Sequence, residues 1–325
     1  MRSFTHINAH TVDEACSLLR RYRGRAVLNA GGTDLFSTLK GENLLEYPEA
    51  VINIKTIAGL EYIKEDREGC KIGSLTKLSD IAGSLLVKER YRVLWEAARS
   101  VATPQIRNAA TLGGNLCQDV RCWYYRYPGS IGGPIRCLRK GSGPCLAVKG
   151  DNRYHAILDG KKCFAICPSD TAVALAALDG QITIANPKGE RRLAVGEFFG
   201  PLGNALNRDE MVTEIHVPEV LTSAKQTFLK FVLRKPVDFA IVSVACVIST
   251  DGAMCSDARI ALGAVAPGPI RASKAEEVIK GRSVGDTTAA EAARQALAGA
   301  RPLSMNAYKV EIAKTLVKRA ILEVV

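Results

Sequence analysis

The residues most capable of chemistry in this 325-residue chain are its cysteines. Six of the ten fall within 51 residues, namely Cys117, Cys122, Cys137, Cys145, Cys163 and Cys167. Between Arg121 and Lys162 the chain also carries nine Lys or Arg residues against two acidic ones. Such a segment buries little apolar surface by itself, so its thiols predict either a metal centre or disulfides.

The spacing of these cysteines leaves the kind of centre open. A structural zinc site usually pairs its ligands as C-x2-C, a pattern the segment lacks. A plant-type two-iron cluster needs C-x4-C-x2-C, and Tyr125 stands where the third thiolate would follow Cys117 and Cys122. A four-iron cluster with scattered ligands, a zinc site and a metal-free loop all remain compatible with the spacing.

Two short glycine-rich turns are the second chemical feature. Gly31-Gly32-Thr33-Asp34 follows a buried strand at 26–28 and precedes a helix start at Leu35. A similar group of small residues recurs about 80 positions later, as Thr111, Gly113, Gly114 and Asn115. Free backbone N–H groups in such turns can hold a pyrophosphate. Neither turn matches the spaced-glycine dinucleotide motif or a phosphate-binding loop, so ordinary strand-to-helix turns are the alternative.

The elements that must position these groups are predicted from periodicity. Thr11 to Glu14 is a capping pattern that predicts a short amphipathic helix. Strands are predicted at 51–57 and 71–78, and a longer helix at 88–101. Further strands are predicted at 228–248 and 259–271, before a helical tail. The last helix carries an apolar stripe that we interpret as core.

Composition bounds the function. The net charge is +11, yet no nucleic-acid-binding motif accompanies it, so we expect an anionic cofactor or an acidic partner and no nucleic acid. No apolar run is long enough to span a membrane. The N-terminus has no secretion signal, which predicts a cytoplasmic protein, or a periplasmic one only if a signal-bearing partner exports it.

Four motifs taken together resemble a known family. NAGGTDL, TPQIRNAATLGGNL, PSDTAVALAAL and FLKFVLRKPVDFA, in this order, resemble the FAD-binding subunit of the xanthine oxidase family of molybdenum hydroxylases. The resemblance implies an α+β fold, with a two-part FAD-binding domain of the PCMH type followed by a C-terminal α+β domain with a small antiparallel sheet and helices. It also implies domain boundaries of 1–221, with an insertion at about 117–167, and 222–325.

The cysteine stretch looks like the insertion of the 4-hydroxybenzoyl-CoA reductase and bacterial aldehyde oxidoreductase types. In both types the insertion carries a [4Fe-4S] cluster, and the matching ligands here are Cys122, Cys137, Cys145 and Cys163. The resemblance also implies FAD, with contacts from Leu28, Asn29, Ala30, Gly31, Gly32, Thr33, Asp34, Leu35, Thr111, Gly113, Gly114, Asn115, Asp170, Met211, Val212 and Lys230.

The same resemblance implies the partners. The chain has no two-iron motif and no recognisable molybdopterin-binding sequence, so we expect a small [2Fe-2S] subunit and a large molybdenum-cofactor subunit in a dimer of heterotrimers. An acidic electron carrier such as a ferredoxin is the expected external partner. The alternative is a self-contained FAD oxidoreductase with a structural zinc site or a metal-free cysteine loop.

Overall fold

A three-stranded parallel sheet with two helices begins the molecule. The computed structural model describes residues 1–235 and 237–325. Its first elements are β1 (Thr5–Asn8), α1 (Val12–Tyr22), β2 (Ala26–Asn29), α2 (Leu35–Gly41) and β3 (Ala50–Asn53). The sheet order is β1-β3-β2. The predicted cap of α1 is confirmed, because Thr11 Oγ1 accepts the N–H of Glu14 at 3.1 Å.

β3 is shorter than the predicted strand at 51–57. It ends at Asn53, whose side-chain oxygen accepts the N–H of Lys55 at 3.3 Å. This local bond turns the chain away from the sheet, as asparagine side chains commonly do.

A five-stranded antiparallel sheet with packed helices follows. Its elements are β4 (Ile63–Asp66), β5 (Gly69–Gly73), α3 (Leu78–Gly83), α4 (Leu85–Arg90), α5 (Arg92–Ser100), α6 (Pro104–Arg107), α7 (Leu112–Cys117), α8 (Asp170–Ala177), β6 (Gln181–Asn186), β7 (Gly189–Ala194), α9 (Val195–Phe198), β8 (Phe199–Gly200), β9 (Gly203–Asn204) and β10 (Met211–Pro218). The sheet order is β4-β5-β10-β6-β7, while β8 and β9 form a separate two-stranded pair.

The single helix predicted at 88–101 is two helices. Tyr91 interrupts it with a non-helical backbone, φ −130° and ψ 51°, between α4 and α5. The Tyr91 side chain is buried in the core of this domain, so tertiary packing overrides the local helical pattern.

The C-terminal domain has a four-stranded antiparallel sheet covered by helices, as the resemblance implied. Its elements are β11 (Lys225–Phe231), β12 (Val242–Asp251), β13 (Met254–Gly263), β14 (Ile270–Arg271), α10 (Ser273–Ile279), α11 (Asp286–Ala296) and α12 (Tyr308–Glu323). Alternate residues of β12 serve two cores, since Val244 and Cys246 pack with α12, whereas Ala245 and Val247 join the core around α8. The core interpretation of the last helix is confirmed.

The segment at 117–167, called here the cysteine insertion, is built differently. Beyond the last residue of α7 it contains no strand and only three short 3-10 turns, at Gly129–Ile131, Leu138–Lys140 and Leu146–Val148. Its own apolar cluster is small, centred on Val120, Cys163 and Ala165. Across the described ranges, no helix has the length and apolarity needed to cross a membrane.

Candidate functional site

The largest cavity lies where the loop after β2, the start of α7, the start of β10 and strand β11 converge. Its volume of about 660 Å³ is within the range of small-molecule and cofactor sites. Of the positions implied for FAD, those lining this cavity are Leu28, Ala30, Gly31, Gly32, Thr33, Asp34, Leu35, Thr111, Gly113, Gly114, Asn115, Asp170, Met211, Val212 and Lys230. Asn29 lies just behind this wall, buried, with no hydrogen-bond partner for its Oδ1 among the described residues.

The two glycine-rich turns pack directly on each other. A Cβ atom at Gly31 would lie 2.1 Å from the carbonyl oxygen of Ala109, just before the second turn. Gly32 has φ +71°, which glycine adopts without strain. Glycine at these positions therefore lets both backbones meet at one end of the cavity.

The second turn differs from the prediction in its local structure. Thr111 caps α7 by accepting the N–H of Gly114 at 3.2 Å, so Gly113, Gly114 and Asn115 lie within a short helix. The Asn115 side chain faces the start of α8, where its Oδ1 accepts the hydroxyl of Ser169 at 2.6 Å.

The opposite wall carries a buried ion pair. Lys230 Nζ lies 2.7 Å from Asp170 Oδ2 and also donates to the carbonyl of Ser100 at 2.9 Å. Ser169, rather than Asp170, caps α8 by accepting the N–H of Ala172. Burial raises the pKa of the Asp170 carboxyl, and the Lys230 ammonium opposes this shift. This part of the cavity wall is therefore polar, and the charges of Lys230 and Asp170 compensate each other.

Sequence reasoning missed the role of Asp34, which links the cavity to the cysteine insertion. Its Oδ1 accepts from Arg121 and, at 2.7 Å, from Arg126, while its Oδ2 accepts the N–H of Asp119 at 2.9 Å. Burial opposes ionisation of Asp34, but the two guanidinium groups outweigh it and lower the pKa. The signal in the sequence was the high number of Lys and Arg residues in the insertion. The sequence does not show which acidic residue each of them pairs with.

Asp119 extends this network. It accepts hydrogen bonds from Arg139, at 3.0 Å, and from the hydroxyl of Tyr125. Arg121 also stacks over the Phe239 ring at 4.6 Å, on the wall formed by residues 237–239. Ion pairs and an aromatic contact therefore continue from the large cavity into the insertion.

Sequence reasoning also missed residues at 204–210, which form another wall of the large cavity. Glu210 accepts two bonds from Arg191, at 2.9 and 2.7 Å, and one from the N–H of Asn207 at 2.7 Å. These bonds lower the pKa of Glu210 to about 2, with the Arg191 side-chain bonds as the largest cause. Nothing in the sequence pairs Arg191 with Glu210.

The four cysteines predicted as cluster ligands line one small cavity. Cys122, Cys137, Cys145 and Cys163 share it with Tyr124, Tyr125, Leu138, Arg139, Leu146, Ala147, Lys162 and Ala165. Burial raises the pKa of the Cys122 thiol to about 11, and the nearby Cys163 and Cys145 add to the rise. Within 1–235 and 237–325, no three Cys, His, Asp or Glu side chains are placed to hold a single metal ion.

Cys117 and Cys167 lie elsewhere. They line a third cavity, of about 260 Å³, that shares Cys117 and Asp119 with the large cavity and Tyr125 and Arg139 with the cysteine cavity. The two candidate sites are therefore neighbours, separated by the Asp119 network.

Comparison with known proteins identifies the family. Residues 2–220 match the model of the FAD binding domain in molybdopterin dehydrogenase, and residues 227–324 match that of the CO dehydrogenase flavoprotein C-terminal domain. The chain is 33% identical to the aldehyde oxidoreductase FAD-binding subunit PaoB of Escherichia coli (strain K12), over 97% of this chain and 96% of that one. It is 27% identical to the glyceraldehyde dehydrogenase medium chain of Sulfolobus acidocaldarius, over 99% and 98%.

A solved structure is similar over the same length. The carbon monoxide dehydrogenase of Hydrogenophaga pseudoflava has a chain that superposes with a TM-score of 0.79 at 27% identity, covering 99% of this chain and 96% of that one. The predicted fold class is confirmed. The chain belongs to the FAD-binding medium subunits of the xanthine oxidase family of molybdenum hydroxylases, and it is thus the flavoprotein component of an oxidoreductase.

Proposed function

We propose that this chain is the electron-transfer subunit of a heterotrimeric molybdenum enzyme and carries both FAD and a [4Fe-4S] cluster. It would pass electrons between an external carrier and the two-iron clusters and molybdenum centre of its partner subunits. The observation that carries the proposal is the adjacency of two cavities, one lined by both glycine turns and one by four cysteines. We further propose residues 1–221 as the FAD-binding domain and 222–325 as the C-terminal domain.

The large cavity suits FAD in shape and in polar groups. Backbone N–H groups of the turn at 31–34 would hold the pyrophosphate. The small residues at 111–115 would let it come close, whereas the N–H groups of 112–115 already donate to acceptors within the protein. Asp170, Lys230 and the Met211–Val212 backbone would contact the remaining parts of the cofactor. Asn29 Oδ1 is a buried acceptor that a ligand group could satisfy. When bound, FAD supplies conversion between two-electron and one-electron transfer.

The cysteine cavity suits an iron–sulfur cluster better than zinc. A tetrahedral zinc site brings its thiolates to about 2.3 Å from one ion, and the described residues contain no such group. A four-iron cluster has its irons at separate corners, so its ligands stand further apart around a common space. Cys122, Cys137, Cys145 and Cys163 line one common cavity, and Arg139 in the same lining would offset their negative charge, which supports the cluster proposal.

Eight of the nine basic residues of the insertion fall into two groups, and the ninth, Lys140, donates to the carbonyl of Asn43. Arg121, Arg126 and Arg139 are partly buried and pair with Asp34 or Asp119. The exposed group consists of Arg136, Lys149, Arg153, Lys161 and Lys162. We propose that this exposed group docks an acidic electron carrier such as a ferredoxin, so electron-transfer rates should fall as salt rises.

The relatives suggest the partners. Two relatives, the Sulfolobus and Hydrogenophaga proteins, are called medium chains. We propose that this chain joins a small [2Fe-2S] subunit and a large molybdenum subunit, in a dimer of heterotrimers. The 33% identity to an aldehyde oxidoreductase subunit favours an aldehyde-oxidising complex over a 4-hydroxybenzoyl-CoA reductase. We propose that the protein is located in the cytoplasm.

Cofactor content of the anaerobically purified chain tests this proposal. We expect about one FAD and four irons per chain, with iron but not FAD lost in Cys137→Ala. Cys167→Ala is the matched control, because Cys167 lines neither the cysteine cavity nor the FAD cavity, and it should keep both iron and FAD. FAD without iron, or zinc in its place, would instead favour a self-contained flavoenzyme.

A further inference from the structure

His155 is the one histidine of the cysteine insertion, and its ring is aimed at a proposed cluster ligand. Its Nε2 lies 3.3 Å from Cys122 Sγ, and the side chain is only 3% exposed. Hydrogen bonds to sulfur of this length are ordinary, because sulfur is larger than oxygen. The contact is therefore a hydrogen bond rather than packing alone.

With the proposed cluster bound at Cys122, the direction of this hydrogen bond is determined by the thiolate. Its other nitrogen, Nδ1, is buried with no hydrogen-bond partner among residues 1–235 and 237–325. A metal-bound thiolate at Cys122 is an acceptor, so the proton belongs on Nε2, which donates to the sulfur. Nδ1 then carries only a lone pair.

Two aromatic rings pack against the imidazole. Trp123 packs against it with ring centroids 5.9 Å apart, and Tyr124 does so at 6.2 Å. Trp123 is held in turn, because its indole N–H donates to the carbonyl of Asp151 at 3.1 Å. The aromatic packing thus prevents the imidazole from rotating away from the thiol.

The backbone of His155 is anchored by the C-terminal domain. Its carbonyl accepts from Asn306 Nδ2 at 3.1 Å and from Lys309 Nζ at 3.0 Å, and both of these side chains are fully buried. The Asn152 side chain accepts the N–H of Met305 at 2.9 Å nearby. A loop of the insertion is thus tied to the segment that begins α12.

We propose that His155 is a positioning and tuning residue that donates an Nε2–H hydrogen bond to Cys122 and raises the reduction potential of the cluster. The inference rests on the proposed [4Fe-4S] cluster. Reduction adds negative charge to the cluster and its thiolates, so a hydrogen-bond donor stabilises the reduced form more than the oxidised form. Without the donor, the cluster becomes harder to reduce.

Two substitutions separate the hydrogen bond from the shape of the ring. His155→Phe keeps an aromatic ring between Trp123 and Tyr124 but has no donor, whereas His155→Gln keeps an N–H in reach of the sulfur. His216→Phe is the matched control. His216 lies in β10, outside the insertion, and is also buried, but its ring bonds the carbonyl of Glu68.

The measurement is a redox titration of the anaerobically purified complex, followed by the electron paramagnetic resonance of the reduced cluster, with iron content alongside. We expect His155→Phe to retain four irons and to shift the one-electron equilibrium about tenfold towards the oxidised form, about 59 mV to more negative potential. His155→Gln should recover most of the shift, and His216→Phe should match the wild type. An unchanged potential in iron-replete His155→Phe would overturn the inference and leave the cluster proposal standing.

A second measurement requires no substitution. Wild-type protein labelled with ¹⁵N-histidine should show a weak nitrogen coupling to the reduced cluster, because the Nε2–H group touches a ligand sulfur without binding iron. Its absence, or a strong coupling typical of a direct ligand, would overturn the hydrogen-bond role even if His155→Phe failed to assemble. Wild-type protein without iron would overturn the cluster proposal itself, and this inference with it.

Discussion

The FAD cavity and the cysteine insertion are neighbours, but they are held together by different means. The FAD cavity lies among the ends of regular elements, namely β2, α7, β10 and β11, whose backbones are paired within sheets and helices, and residues at 204–210 and 237–239 complete its walls. The insertion has loops and short turns around a small apolar cluster. The first site is therefore preformed by the fold, whereas the second depends on side-chain bonds and on what its thiols bind.

The insertion is also tied to both domains. Asp34 binds Arg121 and Arg126 from the FAD side, and Asn306 and Lys309 bind the His155 carbonyl from the C-terminal side. A segment with only a small apolar cluster can still be well positioned when side chains of both domains bond to it. The contrast between the two regions can be tested in the four ways below.

Removal of the proposed cluster should have the largest and most local effect. Anaerobic chelation would remove the cross-links that this cluster would make between Cys122, Cys137, Cys145 and Cys163, so we expect proteolysis within residues 117–167 to become at least about tenfold faster. The FAD cavity does not depend on these thiols and should keep its flavin. Protease mapping by mass spectrometry, with flavin absorbance measured in parallel, checks both statements. Equal loss of FAD and of the insertion would contradict the contrast.

Loss of the charge on Asp34 should have the second largest effect. Asp34→Asn leaves two partly buried guanidinium groups without their carboxylate, so we expect the free energy of unfolding to fall by about 3 kcal/mol. Because Asp34 joins the two regions, iron and FAD should both be held less tightly. Urea unfolding measures the loss of stability, and the iron and FAD retained by the variant measure the loss of cofactor binding.

An exposed ion pair provides the control for Asp34. Glu311 pairs with Lys314 on the surface of α12, and Glu311→Gln should cost less than about 0.5 kcal/mol. If the Asp34 and Glu311 variants were equally stable, the buried network would not be what joins the two regions.

Glu210 tests the FAD side of the comparison by pH. Its folded-state pKa of about 2 lies below the ordinary 4.5, so its stabilisation is present in full above pH 4.5 and is lost as pH falls towards 2. We expect Glu210→Gln to be less stable than the wild type by about 2 kcal/mol at pH 7, and to lose less stability between pH 4.5 and 2. Thermal unfolding across that range measures the slope, and parallel slopes for the two proteins would contradict this assignment.

Local signals in the sequence reach only part of the large cavity. The two glycine turns were identified from short motifs, whereas Asp170, Met211, Val212 and Lys230 were named only through the family resemblance. Pairs such as Asp34 with Arg126, or Glu210 with Arg191, join charges far apart in the chain, and any acidic residue could have paired with any basic one. The break at Tyr91 was missed because a buried aromatic side chain fits a helical pattern as well as an interruption.

The smallest expected effect is that of substituting Thr111, for which Thr103 is a closely matched control. Thr111 and Thr103 both cap short helices through their hydroxyls, Thr111 to Gly114 at 3.2 Å and Thr103 to Ile106 at 3.4 Å. Replacing either by alanine should cost about 1 kcal/mol of stability, because each leaves one helix N–H without its acceptor. Only Thr111 lines the FAD cavity, so only Thr111→Ala should also weaken FAD binding, by roughly fivefold if the same 1 kcal/mol appears in the affinity. Flavin titration of the apoprotein separates the two variants. Equal affinity in both would mean that the cap supports the fold alone.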